Sequence, residues 1–249
     1  MDLNADLGEG FGAWRLTDDV ALLELVTSAN VACGFHAGDP PTMLRVCTAA
    51  ARRGVAVGAQ VSYRDLAGFG RRPMVVPAGE LRAEIVYQLG ALQACAVAAG
   101  TRVRYVKPHG ALYHAAADDP DQAAAVATAV AGVDPSLAVL GLPDCALSAA
   151  AASTGLRFVA EGFADRAYLP TGGLVPRTRP GAVHADPHTA IAQALSLARD
   201  GTVTAIDGTV LHLAVDSVCV HGDHPAAVTL ATGIRGALTG AGVELAPFA

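Results

Sequence analysis

The sequence predicts an α/β fold of the (β/α)-barrel class, built as a single barrel domain over residues 1–249. Short apolar runs alternate with segments of helical spacing, and this alternation is typical of βα units around a parallel sheet. A chain of 249 residues has the usual size of one α/β barrel. Hydrophobic residues make up 52% of the chain and charged residues 16%, which indicates a compact protein with a large core.

Seven such units follow one another along the chain. Their predicted strands are, in order, DLNAD from Asp2, ANVAC from Ala29, GVAVGA from Gly54, RVRYV from Arg102, LAVLGL from Leu137, LRFVAE from Leu156 and SVCVH from Ser217. No long linker or low-complexity segment separates them, although residues 168–184 are predicted to form a long irregular loop. One domain is therefore expected.

Capping residues mark the boundaries of the predicted helices. An Asp-Pro pair offers an N-cap acceptor followed by a proline suited to the first helical turn. Four such pairs begin at Asp39, Asp119, Asp134 and Asp186. Gly54 and Gly100 mark helix ends. An apolar stripe with three- and four-residue spacing predicts a helix packed on the sheet, and it consists of Leu81, Ile85, Leu89, Leu92 and Ala96.

Charge and composition exclude several classes of partner. A formal charge of -6 and a pI near 5.7 provide no basic surface for nucleic acid. The first residues, MDLNADLGEG, lack the basic and apolar regions of a signal peptide, and no apolar stretch is long enough to span a membrane. The five cysteines are widely spaced without a C-x-x-C pair, which indicates reduced thiols. We expect a cytoplasmic protein with a small-molecule substrate.

Polar side chains are concentrated where the predicted strands end. In parallel α/β folds, ligands bind beyond the carboxyl ends of the strands. Side-chain alternation groups the residues by face into Asn4 with Asp6, Asn30 with His36, Tyr105 with Lys107 and His109, and Cys219 with His221. If these faces point to the barrel axis, the charged groups meet at one mouth. A structural ion-pair cluster that closes the barrel is the alternative.

Lys107 is the only lysine, since all the other basic residues in the Lys-plus-Arg count of 17 are arginines. A compact ammonium can neutralise a developing oxyanion or a phosphoryl oxygen where a guanidinium would not fit. A solvated surface ammonium is the alternative interpretation.

The other candidates have roles that follow from their chemistry. Histidines titrate near neutrality and suit proton transfer, and paired carboxylates suit a base and the group that orients it. The candidate catalytic residues are Asp6, Glu9, His36, Lys107, His109 and His221. The candidate substrate-binding residues are Asn4, Asn30, Asp39, Arg71, Arg72, Tyr113, Asp165, Arg166 and Asp223.

Structural roles compete with several of these assignments. Asp39 and Asp223 each precede a proline within two residues and would serve equally well as helix caps. Arg71 and Arg72 in GFGRR form a surface turn in the alternative interpretation, and Arg166 beside Asp165 forms a local ion pair.

Metal binding is chemically allowed but no ligand spacing demands it. Some mixture of Asp6, His36, His109 and His221 would suffice as ligands. The His184 and His188 pair in HADPH spans a predicted helix cap, so it does not predict a metal pair on one helical face. Cys33 falls on the opposite face from Asn30, which favours a small core residue over a catalytic thiol.

Six segments together resemble the LamB/YcsF family. They are DLNADLGEGFG, ANVACGFHAGDP, GFGRR, VKPHGALYH, FADRAYLPTGGLVPR and CVHGD, and they occur in the order of the family over nearly the whole chain. The resemblance implies a distorted seven-stranded (β/α) barrel like that of glycoside hydrolases and polysaccharide deacetylases. It also implies an ATP-dependent 5-oxoprolinase that works with 5-oxoprolinase subunits B and C and converts 5-oxo-L-proline and ATP to L-glutamate, ADP and phosphate.

One segment departs from the pattern of the family. Where relatives read like GAHPSYPD, this chain has GAQVSYRD, with Gln60 and Val61 in place of His-Pro and Arg64 in place of proline. If that histidine is catalytic or binds a metal in relatives, its role here is absent or altered.

These features combine into a mechanistic hypothesis. The chain has no G-x-x-x-x-G-K-[ST] loop, which favours ATP handling by the partner subunits. Asp6 or Glu9, assisted by a histidine, would activate water, Lys107 would stabilise the charged oxygen, and arginines would hold the substrate. Two alternatives stay open: a metal-dependent deacylase of an amide or sugar, and a non-catalytic lactam-binding subunit.

Overall fold

A closed barrel of seven parallel strands forms the centre of the protein. The computed structural model describes residues 1–221 and 226–249, and within them the barrel strands are β1 (Asp2–Leu7), β2 (Ser28–Ala32), β3 (Ala56–Val61), β4 (Val103–Pro108), β5 (Ala138–Gly141), β6 (Arg157–Phe163) and β9 (Ser217–Val220). Each strand pairs with the next, and β9 closes the barrel between β6 and β1. The seven predicted strands and the barrel class are confirmed.

Among the residues that the structure describes, two short strands lie outside the barrel, in the connection between β6 and β9. They are β7 (Thr202–Thr204) and β8 (Val210–His212), and they pair antiparallel. The sequence analysis did not predict this hairpin.

Helices surround the barrel. The described residues form α1 (Asp19–Leu23), α2 (Pro40–Arg53), α3 (Ala78–Ala98), α4 (Gly110–Asp118), α5 (Pro120–Val133), α6 (Ala146–Thr154), α7 (Pro187–Asp200) and α8 (Ala227–Gly240). The apolar stripe of α3 is buried as predicted, from Leu81 to Ala96. None of the helices in the described part of the chain is long and apolar enough to cross a membrane.

Three of the four predicted Asp-Pro caps are confirmed, and the fourth is wrong. The carboxylates of Asp39, Asp119 and Asp186 accept backbone N–H groups in the first turns of α2, α5 and α7. Asp134 instead follows the end of α5, and its carboxylate accepts bonds from the backbone N–H (2.8 Å) and the hydroxyl (2.7 Å) of Ser136. Because β5 begins at Ala138, the intervening residues can form only a turn.

At the end opposite the cavity, the barrel interior combines an apolar cluster, closed by residues near the C-terminus, with a buried polar group in which the Asp2 carboxylate accepts hydrogen bonds from the hydroxyls of Ser28 and Ser217. Tyr105, Ala138, Leu140 and Val159 form a buried cluster against which Phe248 packs. The rings of Tyr105 and Phe248 lie 4.8 Å apart. This end is therefore sealed, and a ligand has to enter from the carboxyl ends of the strands.

The predicted irregular loop is confirmed, since residues 168–184 contain no helix and no regular strand. Isolated bridges between Tyr168 and Leu174 and between Arg166 and Val183 fold the loop back on itself. This places Arg166 and Arg177 at the mouth of the barrel. All five cysteines are free thiols, and Cys33 belongs to the core as expected.

Candidate active site

A cavity of about 720 Å³ opens at the carboxyl ends of the barrel strands. Seven of the predicted site residues line it: Asp6, Arg71, Lys107, His109, Tyr113, Arg166 and His221. The strand-end residues therefore meet at one mouth, as the alternation pattern required.

Lys107 lies at the floor of the cavity with its ammonium surrounded by acceptors. Its Nζ is 2.8 Å from Glu161 Oε2, 3.5 Å from Asp6 Oδ1, 3.2 Å from Cys219 Sγ and 3.4 Å from Asn4 Oδ1. Burial by itself would lower the pKa of Lys107. Cys219, Glu161 and Asp6 outweigh the burial and raise that pKa well above its ordinary value, so the ammonium is charged at neutral pH.

Asp6 is an ionised carboxylate beside this ammonium. Burial alone would raise its pKa, but Lys107, the rings of His221 and His109 and the amide of Asn30 together lower it below the ordinary value. Asn30 Nδ2 donates to Asp6 Oδ1 at 2.9 Å. A fixed negative charge therefore lies next to the lysine at the base of the cavity.

His36 and His109 form a stacked pair of imidazoles, with ring centroids 4.0 Å apart and planes 13° apart. His109 Nε2 lies 3.0 Å from the carbonyl oxygen of Phe69, which only accepts hydrogen bonds. The N–H of the neutral ring is therefore at Nε2, and Nδ1 faces Glu9 Oε1 at 3.9 Å and Asp6 Oδ2 at 4.0 Å. Burial lowers the pKa of His109 to about 4, so the ring is neutral at pH 7.

His221 forms a dyad with Asp165 on the other side of the cavity. Its Nδ1 lies 2.8 Å and 2.9 Å from the two carboxylate oxygens of Asp165. Burial alone would raise the pKa of Asp165, but His221 lowers it. An ionised carboxylate fixes the proton on Nδ1 and leaves Nε2 as the acceptor, which is the arrangement of a general base.

Three arginines surround the outer part of the cavity. Arg71 lies over the ring of Phe69, with 4.9 Å between the guanidinium carbon and the ring centroid. Arg166 is buried and donates to the carbonyls of Val175 (2.6 Å) and Ala182 (3.2 Å). Burial and the nearby Arg177 lower the pKa of Arg166 to about 10. This concentration of positive charge suits a carboxylate or phosphate.

Several predicted substrate-binding residues do not line the cavity. Asn4 and Asn30 are fully buried beneath it, where Asn30 Nδ2 donates to Asn4 Oδ1 at 2.7 Å. The guanidinium of Arg72 is bound by Asp65 instead, and Asp39 caps α2. Asp165 faces His221. The physical reason is the same each time, because a partner within the protein already satisfies the polar group.

Comparisons with known proteins assign the chain to a family. The model of the LamB/YcsF family matches residues 1–249. The chain belongs to the LamB/YcsF family.

Relatives of known name cover the chain from end to end. The A subunit of 5-oxoprolinase from Mycobacterium avium is 63% identical over 248 residues, which are 100% of this chain and 98% of the relative. That of Streptomyces griseus is 60% identical over 249 residues, with 100% of both proteins covered.

Solved structures agree with the barrel. The crystal structure of the lactam utilization protein from Thermus thermophilus is 44% identical with a TM-score of 0.94, and the match covers 99% of each chain. A truncated 3-deoxy-D-arabino-heptulosonate 7-phosphate synthase from Thermotoga maritima is 12% identical with a TM-score of 0.51, covering 98% of this chain and 88% of the other. That second likeness concerns the fold alone.

In this LamB/YcsF member, sequence reasoning missed three residues of the site. Glu161 forms an ion pair with Lys107. It lies two residues after the inward-facing Val159 in β6, so side-chain alternation along the strand could have predicted that it faces the barrel interior. Gln60, noted only as a departure from the family, lies 3.2 Å from His36 Nε2. Arg177 lines the cavity from the irregular loop, where no periodicity could indicate it. Asp223 lies outside the described residues.

Proposed function

We propose that this chain is the A subunit of an ATP-dependent 5-oxoprolinase and that it opens the lactam ring of phosphorylated 5-oxo-L-proline. The observation that carries the proposal is the meeting of Lys107, Asp6, His109 and His221 at one cavity beneath three arginines. The names of the full-length relatives support it.

The substrate explains why the reaction needs both ATP and an organised site. A five-membered lactam is a resonance-stabilised amide whose nitrogen stays next to the carbonyl carbon, so simple hydrolysis is slow and reclosure is fast. Phosphorylation of the amide oxygen makes the carbon a better electrophile. The arginine-rich outer cavity supports the binding of such a doubly anionic substrate through its carboxylate and phosphoryl groups.

Ring opening requires a base, a proton donor and charge stabilisation. In our mechanism His221 Nε2 takes a proton from water while the water oxygen bonds to the activated carbon. The carbon–nitrogen bond then breaks as the hydroxyl oxygen left by the water becomes the carbonyl oxygen of an acyl phosphate, and the departing ring nitrogen takes one proton from His221 and the other from that hydroxyl. Lys107 stabilises the negative charge on the phosphoryl group that the reacting carbon carries, and Asp6 keeps the ammonium charged. The product keeps the phosphoryl group on its new carboxyl until a second water removes it.

ATP is handled outside this chain in our proposal. The sequence contains no G-x-x-x-x-G-K-[ST] loop, and its only lysine lies at the cavity floor. We propose that 5-oxoprolinase subunits B and C supply the phosphorylated lactam. We expect the reaction in the cytoplasm, where thiols stay reduced.

The proposal is tested by glutamate formation in the complex reconstituted from this chain and subunits B and C. Lys107→Met removes the ammonium, so we expect a fall in kcat of about 10²–10³, as for loss of one oxyanion-stabilising group. It also leaves Glu161 and Asp6 without their partner, and breaking a buried pair costs about 3–5 kcal/mol. The Lys107→Met/Glu161→Gln double variant should recover part of the stability while remaining inactive.

Three outcomes contradict the proposal or part of it. Full turnover by either variant would remove Lys107 from the mechanism. ATP-independent amide or sugar deacylation by the isolated chain would favour a deacylase. Normal glutamate formation by subunits B and C without this chain would leave it a non-catalytic subunit.

A further inference from the structure

Hydrogen-bond acceptors converge deep in the site, and the proposed ring opening uses few of them. Glu9, His36 and His109, here called the Glu9–His36–His109 cluster, are all buried, and each presents a ligand atom within 4.8 Å of the others. The carboxylate of Asp6 lies beside the cluster, 4.0 Å from His109 Nδ1. The cluster comes from three separate loops or strand ends of the barrel.

The hydrogen bonds of the two histidines leave Nδ1 of each ring as the nitrogen that carries the lone pair. His109 donates from Nε2 to the carbonyl of Phe69, which leaves Nδ1 as an acceptor toward Glu9. His36 Nε2 lies 3.2 Å from Gln60 Oε1, and His36 Nδ1 has no hydrogen-bond partner among the residues that the structure describes. A ligating histidine typically donates its other ring N–H to a carbonyl or carboxylate in this way.

The surrounding residues hold the rings in place. The edge of the Phe69 ring packs against both imidazoles, at 5.7 Å from His36 and 5.3 Å from His109. Gly70, at φ +67°, lies so close that a Cβ there would meet the side chains of His36 and His109. The GFGRR segment therefore positions both histidines, which is more specific than a surface turn.

One nitrogen of each imidazole and a carboxylate oxygen of Glu9, all within 4.8 Å of one another, form a donor set suited to a metal cation. The Lys107 ammonium lies outside this set, because it contacts Glu161 and Asp6 on the floor of the barrel. We propose that the Glu9–His36–His109 cluster binds one divalent transition-metal ion. Two imidazoles and a carboxylate favour Zn²⁺ or Mn²⁺ over Mg²⁺ or Ca²⁺, which prefer oxygen ligands only.

The stacking of the two rings determines how their nitrogens can reach one ion. Because the ring planes lie 13° apart, the two lone pairs run nearly parallel, and small adjustments of both rings would bring the nitrogens onto one ion. When bound, the ion would supply positive charge next to the reacting centre.

The experiment is metal binding by the isolated chain, after removal of metal with a chelator. Titration calorimetry with ZnCl₂ and with MnCl₂, and metal analysis after dialysis, should show one ion per chain. His36→Ala and His109→Ala should each weaken binding by at least about 100-fold, and Gln60→Ala, which keeps every ligand, by about 10–100-fold. His188→Ala is the matched control because His188 is exposed at the start of α7, and it should leave the affinity unchanged.

Two results would overturn the metal proposal. One is the absence of stoichiometric binding by the folded wild-type chain, and the other is equal affinity in Gln60→Ala, His36→Ala and wild type. If an alanine variant fails to fold in thermal melts, Glu9→Gln and Gln60→Ala decide the question. The measurement needs neither lactam nor partner subunits. Absence of metal binding would therefore leave the proposed 5-oxoprolinase function unaffected, and absence of glutamate formation would leave the metal proposal unaffected.

Discussion

At the scale of single residues, the unique lysine is explained by where its side chain ends. Lys107 extends into the barrel interior, where four acceptors on β1, β6 and β9 meet around one ammonium. A guanidinium is planar and broader, and its five donors would need more partners than this interior provides. The arginines lie instead at the wider mouth or on the surface.

Asp165 contacts His221 and does not line the cavity, which favours a positioning role over the substrate-binding role predicted from sequence. It holds the proton of His221 on Nδ1, so that Nε2 faces the cavity as a base. Asp165→Asn should therefore lower kcat in the reconstituted complex by about 10²–10⁴ while KM changes little, because the wrong tautomer becomes available. Steady-state glutamate formation, with its pH profile, measures this effect.

The control for that variant is Asp207→Asn, since Asp207 is exposed in the turn between β7 and β8. Its kinetics should equal those of the wild type. A raised KM with unchanged kcat in Asp165→Asn would instead restore the substrate-binding role.

At the scale of elements, the packing of β3 against β4 depends on a glycine. A Cβ at Gly58 would overlap the ring of Tyr105 on the neighbouring strand, and the β3–β4 register shifts between Val57 and Gly58. The missing side chain lets Tyr105 fill the interior and donate to Asn30 Oδ1 at 2.7 Å. The polar floor of the site is therefore connected to the sealed end of the barrel.

Gly58→Ala should destabilise the protein by about 1–3 kcal/mol, because overpacking displaces a ring that has no free space. Gly90→Ala is the matched control, since Gly90 is exposed within α3 and has no atom within reach of a new Cβ. That change should stabilise the protein by up to about 1 kcal/mol through helix propensity. Urea unfolding of both variants measures the difference, and equal effects would contradict this account of β3.

At the scale of the whole molecule, the barrel has one sealed and one open end. Phe248, near the C-terminus, packs against Tyr105 at the sealed end, and Arg157 donates to the Phe248 carbonyl at 2.7 Å. The chain thus begins and ends at the same barrel, since the N–H of Ala246 also donates to the carbonyl of Met1. We predict one domain that unfolds as a unit.

Phe248→Ala tests that prediction. Loss of the ring should cost about 2 kcal/mol and lower Tm by about 4–8 °C in a chain of this length, in one calorimetric transition with equal calorimetric and van't Hoff enthalpies. Catalysis at the distant mouth should be unaffected at low temperature. Two separate transitions would show that the chain folds in more than one unit.

The sequence by itself determined the barrel, its seven strands and the end at which its polar residues gather. These features are local or periodic, since alternation fixes the face of a side chain and a capping residue fixes a helix start. Only the tertiary structure decided which polar groups are already satisfied. In the folded protein Asp165 contacts His221, Glu161 contacts Lys107, and Gln60 contacts His36. Asp134, predicted as a helix cap, lies instead in a turn. Such pairings join residues far apart in the chain, and their geometry depends on how seven strands close around a common axis, which no local pattern records.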